Sequence, residues 1–167
     1  MIPAPLLTRG VPKYHSEFSK DKMSHGIPLS DEDRWEWLII LREEAVNRLT
    51  RTSMGRSATR QHEGVVVTCS ALKHKYRDVI RIAPYNDHNV LVHFIYLHAD
   101  EKTLLQRVGA RKGHFMKSSM VRSQIEMLEE PRDDEQRDVL KVNCAPAISD
   151  VQRTVLRTVR EELAKDR

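Results

Sequence analysis

The chain has 167 residues, with 28 Lys and Arg against 24 Asp and Glu for a formal charge of +4, and this length favours one domain. Leu, Ile, Val and Phe make up about a quarter of it, above the roughly 20% under which composition points to disorder, so a core can be buried. The pI near 9.2 comes from interspersed charges of both signs, with only 3 Phe, 2 Trp and 4 Tyr to stack on bases, which argues against a nucleic-acid partner. No apolar run approaches the ~20 residues of a membrane span, and Met1 to Leu7 is too short and proline-broken for a signal core. Cys69 and Cys144 lack CxxC spacing, which argues against zinc and structural disulfides. A soluble, cytoplasmic protein is expected.

Residues 1–29 carry Pro3, Pro5, Pro12 and Pro28 with little periodicity and read as irregular. Ser30 and Asp33 resemble a capping box with Asp in place of Glu. Trp37, Leu38, Leu41, Ala45 and Leu49 then repeat at helical spacing, which predicts a helix over about 31–50. The polar stretch 51–63 reads as a loop. Val65 to Cys69 is a β-branched run without alternation, as in a strand covered on both faces, and Ser70 would cap a helix running to about Ile82. The same unit recurs twice. Val90 to Leu97 predicts a strand, followed by Asp100 as a cap and a helix carrying Leu104, Leu105 and Val108. Val139 to Val142 predicts a third, followed by a helix from Ser149 with Val151, Val155, Val159 and Leu163 every fourth residue. Alternating strands and helices make the class α/β with a parallel sheet.

Between the second and third strands, Arg107, Arg111, Lys112 and His114 crowd around Gly109 and Gly113, and a helix follows from about Ser118 to Glu130. A glycine-hinged basic segment suits a lid closing on an anion. The ordinary end of a helix explains the same cluster, with cations at the dipole and Gly in the turn. Lys73, Arg77 and Arg81 step by four and would share one helix face beside the Ser70 N–H groups, where a phosphate or carboxylate would sit. An exposed basic face is the plainer reading. Neither GxxxxGKS/T nor GxGxxG is present, and His93 and His98 lack the partners of a metal site.

Several segments together resemble the gluconokinases. Lys22 to Leu38 follows that family's KMxxGxPLxDxDRxxWL block. Cys69-Ser70-Ala71-Leu72-Lys73 with Tyr76-Arg77-Asp78, and Phe94-Ile95-Tyr96-Leu97, look like its CSALKxxYRD and FIYL segments. Arg111-Lys112-Gly113-His114-Phe115 matches its RKGHF lid, and Leu128-Glu129-Glu130-Pro131 with Asp138-Val139-Leu140 its closing LxEP and DVL. The resemblance runs from about His15 to the C-terminus. It implies a P-loop kinase of the nucleoside-monophosphate-kinase-like type, a parallel sheet flanked by helices in three layers, moving the γ-phosphoryl of ATP to D-gluconate with Mg²⁺ to give 6-phospho-D-gluconate for the pentose phosphate route.

The family's usual first strand, Walker A loop and second strand have no counterpart here. His15 aligns with the His of the segment ending that missing part, but Ser16 stands where the family has Pro. The resemblance therefore implies residues 1–14 as a non-family segment and 15–167 as a gluconokinase-like domain lacking its first two strands and its nucleotide cradle, with activity of the chain alone lost. In the family's frame Arg107, Arg111 and Lys112 are the catalytic candidates that stabilise the transferring phosphoryl group. His15, Arg34, Ser70, Lys73, Arg77, Arg81 and His114 are the candidates for contact with D-gluconate. For Arg34 a helix-start ion pair with Asp31 explains the residue equally well, and Trp35 and Trp37 read as packing residues. A non-catalytic sugar-acid-binding module is the alternative, and exposed strand edges would let the chain pair with a second copy or a full-length relative.

Overall fold

The computed structural model describes residues 14–54, 64–86, 88–110, 118–131 and 137–165. The expectations for residues 1–13, for the loop at 55–63 and for the lid at 111–114 lie outside these. The chain divides into two compact units, Met1–Leu91 and Val92–Arg167.

The first unit is helical. Helix α1 (Glu17–Ser24) occupies part of the stretch expected to be irregular. It has no apolar stripe, and its signals are local. The Ser16 hydroxyl accepts the Ser19 N–H at 3.1 Å, Glu17 and Lys22 suit the two ends of the dipole, and Gly26 takes a φ of 76° just beyond the helix, where a side chain would be strained. Helix α2 (Glu32–Met54) has the expected start and runs one turn further than predicted. Its capping box is formed as read. Asp33 Oδ2 accepts the Ser30 N–H at 2.7 Å and the Ser30 hydroxyl accepts the Asp33 N–H at 3.3 Å, so two donors that the helix leaves open are satisfied reciprocally.

The apolar face of α2 buries Trp37, Leu38 and Leu41 against Tyr76, with Tyr14, Trp35, Val67, Cys69, Leu72, Val79 and Ile80 packed around them. Helix α3 (His74–Arg81) lies along α2, and Arg42 ties the two by donating to the Val79 carbonyl at 3.2 Å. Short α4 (Ala83–Asn86) follows.

Two expectations for this unit are corrected. In Val65 to Cys69 only Val66 makes a β-bridge, so the described residues show no strand there. A run of β-branched residues favours extension, and a strand also needs a neighbour along its length. Ser70 does not cap a helix: α3 begins at His74, with Lys73 in the N-cap position and no side-chain capping bond. The Arg77 guanidinium donates to the carbonyls of Ala71 and Leu72 at 3.2 and 3.3 Å, which gives both a partner outside a helical ladder.

The second unit is built on β1 (Phe94–His98) and β2 (Val139–Asn143), paired in parallel from Phe94↔Val139 to His98↔Asn143. The parallel α/β arrangement is as read. Strand β1 starts four residues later than expected because its five-residue partner offers no further ladder. Helix α5 (Glu101–Ala110) is capped by Asp100, whose Oδ1 accepts the Thr103 N–H at 2.7 Å. It packs on α6 (Ser118–Met127), which ends short of the expected Glu130. Helix α7 (Ile148–Lys165) packs on β2 and turns half-buried Val151, Val155, Val159 and Leu163 inward at the predicted spacing. Among the described residues no helix is long and apolar enough to cross a membrane.

Candidate functional site

The site is built around the start of α2. Position 34 falls one turn into the helix, on the side facing α3, so Arg34 is carried inward and left only 5% exposed. Its guanidinium carbon stands 5.7 Å from the centre of the Tyr76 ring, and its Nε has no hydrogen-bond partner among the described groups. The ion pair with Asp31 that would have explained Arg34 structurally is not formed. Burial depresses the Arg34 pKa, partly offset by the Tyr76, Asp31 and Asp33 charges. A buried guanidinium with an unsatisfied N–H is costly.

Asp31 is instead engaged from α3. Its carboxylate accepts from Lys73 Nζ at 2.9 Å and also from Lys75 Nζ and the Tyr76 hydroxyl. Lys75, Tyr76 and Lys73 together hold its carboxyl far below the usual carboxylate range. Asp33 is likewise engaged: Lys22 Nζ lies 2.8 Å from its Oδ2, and this contact, with the Ser30 bonds, lowers its pKa.

His15 closes the other side. Its ring stacks on Trp37 with centroids 4.4 Å apart and planes 17° from parallel. Burial first, then the charges of Arg34 and Lys20, push its pKa down to about 4, so the imidazole is neutral at pH 7. The buried His15 Nδ1 and Trp37 Nε1 both lack a hydrogen-bond partner among the described groups. A half-open cleft of about 110 Å³ runs between Tyr14, His15, Ser16, Asp33, Glu36, Trp37 and Ile40. That volume takes one end of an extended polar molecule rather than a whole cofactor. Acceptors and donors line it: the Asp33 and Glu36 carboxylates, the Ser16 hydroxyl and the imidazole.

Protonation of His15 makes a test. Its folded-state pKa lies below the ordinary 6.5, so the unfolded chain takes up a proton between about 6.5 and 4 that the folded chain refuses. The His15 contribution to stability is complete above pH 6.5 and lost as pH falls towards 4. The melting temperature of the first unit is expected to drop across that interval, and His15→Phe, which keeps the stack on Trp37, is expected to flatten the slope. An unchanged slope in His15→Phe would remove the assignment.

The other expected contact residues are placed as follows. Lys73 reaches Asp31. Arg77 is 4% exposed and directed at the Ala71 and Leu72 carbonyls. Arg81 pairs with Asp78 at 2.8 Å. The three do not present one common face to solvent, because the helix begins after Ser70 and Lys73 precedes its first turn. In the second unit, Arg107 donates to the carbonyls of Cys144 and, at 3.0 Å, Pro146. It braces the turn between β2 and α7. Arg111, Lys112 and His114 fall outside the described residues. Asp31, Lys75 and Tyr76 were missed as site residues. All three stand in the segments that carried the family resemblance, and their convergence across 44 and 45 positions is a tertiary contact that no spacing rule reads.

No family model matches the chain. Individual proteins do. It is 40% identical over 129 residues to a probable gluconokinase of Schizosaccharomyces pombe, an alignment covering 77% of this chain and 62% of that protein. It is 34% identical over 147 residues to the thermoresistant gluconokinase of Escherichia coli strain K12, covering 88% of this chain and 75% of that one. The chain belongs to the gluconokinase family. A crystal structure of a gluconokinase from Sinorhizobium meliloti 1021 superposes with a TM-score of 0.73 at 32% identity, covering 98% of this chain and 82% of its own. The chain spans 62, 65 and 58% of the lengths of three gluconokinase relatives.

Gluconokinase chemistry implies ATP, and the described residues do not fit it. The sequence holds no GxxxxGKS/T cradle for the phosphates.

Proposed function

We propose that the chain carries the sugar-acid side of a gluconokinase, binding D-gluconate for ATP-dependent and Mg²⁺-dependent phosphorylation to 6-phospho-D-gluconate, and that alone it binds the acid without turning it over. The observation that carries this reading is Arg34, a buried guanidinium with an unpartnered Nε, which does not line the cleft but stands next in sequence to Asp33, which does, and whose charge acts on His15 there. D-gluconate brings one carboxylate and a chain of hydroxyls. Arg34 takes the carboxylate by charge-assisted bonds, and neutral His15 accepts from or donates to a hydroxyl. Asp33 and Glu36 accept from hydroxyls, which gives the open-chain polyol its orientation. By family resemblance Arg107, Arg111 and Lys112 are assigned to stabilising the transferring phosphoryl group and His114 to contact with D-gluconate.

Transfer requires the β- and γ-phosphates to be positioned and neutralised, which is most of phosphoryl-transfer catalysis. The described residues supply none of that, so binding is the property to measure. Calorimetric titration of the full chain is expected to show saturable binding of D-gluconate and none of D-glucose, which has the hydroxyls without the carboxylate. Equal responses to the two sugars would overturn the reading.

A further inference from the structure

The cations around Tyr76 outnumber the anions that face them. Arg34 and Lys73 each stand 5.7 Å from the Tyr76 ring centre, and Lys75 lies 5.5 Å from the ring of Trp35, itself edge-on to Tyr76 at 5.7 Å. Among the described residues the cluster sets one carboxylate, Asp31, against three positive charges, since Asp33 is engaged by Lys22. Three donors converge on that carboxylate from α3: two ammonium groups and a phenol. Such a set of donors is how a protein receives a small oxyanion. The Asp31 side chain is also 32% exposed, so it can leave the donors for water without being buried elsewhere. It stands immediately before α2, where the helix dipole continues to favour a negative charge after it has moved.

We propose that Asp31 is an internal occupant of an anion site formed by Lys73, Lys75 and the Tyr76 hydroxyl, and that a small oxyanion, carboxylate or phosphoryl, binds there by displacing it. The inference goes beyond the D-gluconate reading, which gives the single carboxylate of that acid to Arg34, and concerns a separate oxyanion. Buried Arg34 is the second sign that the cluster is built for more negative charge than the chain supplies. Asp31 then sets a threshold. It keeps two lysines and a tyrosine ordered in the absence of ligand, and it opposes any anion too weakly charged to replace it.

The test compares the full unaltered chain with Asp31→Asn, which keeps the shape and one acceptor but removes the competing charge. Titration with inorganic phosphate is expected to give about tenfold tighter binding to Asp31→Asn, the change worth about 1.4 kcal/mol. Lys73→Gln added to Asp31→Asn is expected to abolish the gain. Equal or weaker phosphate affinity in Asp31→Asn at an unchanged melting temperature overturns the proposal, as does the absence of any saturable phosphate signal in that variant. A second measurement does not depend on the variant folding: in the unaltered chain the Asp31 side-chain carboxyl carbon resonance is expected to shift as phosphate saturates, and a resonance that stays fixed overturns displacement. D-gluconate separates this from the preceding reading. A phosphate gain with no D-gluconate binding to either chain leaves displacement standing and removes the sugar acid. Equal phosphate affinity in both chains, with D-gluconate binding lost only on Arg34→Met, keeps the sugar acid and removes displacement.

Discussion

Replacing Arg34 by methionine is expected to abolish measurable D-gluconate binding while leaving the melting temperature unchanged or higher. The two effects have separate causes. A guanidinium that is 5% exposed with an unpartnered Nε is held away from water without full compensation, and exchanging buried ionic groups for apolar ones of similar volume is neutral or stabilising by ~1–4 kcal/mol. Methionine also keeps a contact with the Tyr76 ring, replacing the cation with a thioether that packs well on aromatics. Binding moves the other way. Truncating one partner of a desolvated, hydrogen-bonded charge pair costs ~2–5 kcal/mol, roughly thirtyfold to several thousandfold in affinity. Calorimetry for D-gluconate and a thermal melt on the same preparation read both. A lowered melting temperature with D-gluconate affinity intact would make Arg34 a structural residue and move the carboxylate elsewhere.

Arg77→Ala is expected to do the opposite, lowering stability by about 2–4 kcal/mol with D-gluconate affinity within a factor of two. Removing the guanidinium takes the donor from the Ala71 and Leu72 carbonyls, and a buried acceptor left unsatisfied costs ~1–3 kcal/mol. The stem, buried with the rest of the residue at 4% exposure, leaves a cavity in addition. For a domain of this size each kcal/mol shifts the melting temperature by roughly 2–8 °C. Arg77→Lys, which retains one donor but not the fork, is expected to fall between the two. An Arg77→Ala chain that melts normally but binds D-gluconate poorly would return this arginine to the binding surface.

These two arginines show where the sequence was readable. Arg34 follows a capping box and opens an apolar stripe, so its helix and its place one turn in were legible from Ser30, Asp33, Trp37, Leu38 and Leu41. Whether its charge would be matched was not, because Asp31 chooses between Arg34 and the α3 donors through a contact across more than 40 positions. Arg77 was misplaced by arithmetic that assumed a helix from Ser70. A step of four puts Lys73, Arg77 and Arg81 on one face only if all three are helical; α3 begins at His74 with Lys73 extended before it, and the three go to a carboxylate, two carbonyls and a second carboxylate. In the second unit the valine spacing of α7 and the Asp100 cap were legible because each is a local rule. The extent of the strands was not, since a β-branched run is a strand only as far as a partner accompanies it. Helix α1 escaped notice for the reverse reason: it is specified by Ser16 and its end charges, with no apolar period to read.

The stack of His15 on Trp37 has an optical consequence. The chain holds 2 tryptophans: Trp37 lies flat against an imidazole in the cleft, and Trp35 stands edge-on to Tyr76 with the Lys75 ammonium over it. An imidazolium quenches indole emission more strongly than an imidazole does, so Trp37 fluorescence should dim as His15 takes a proton and change again when a polyol displaces water from the ring face. Trp35 should respond to whatever draws Lys75 away. With Trp37→Phe and Trp35→Phe to isolate each signal, the protein carries a built-in, label-free dye at each of its two polar clusters, and acid and oxyanion can be followed separately in one cuvette.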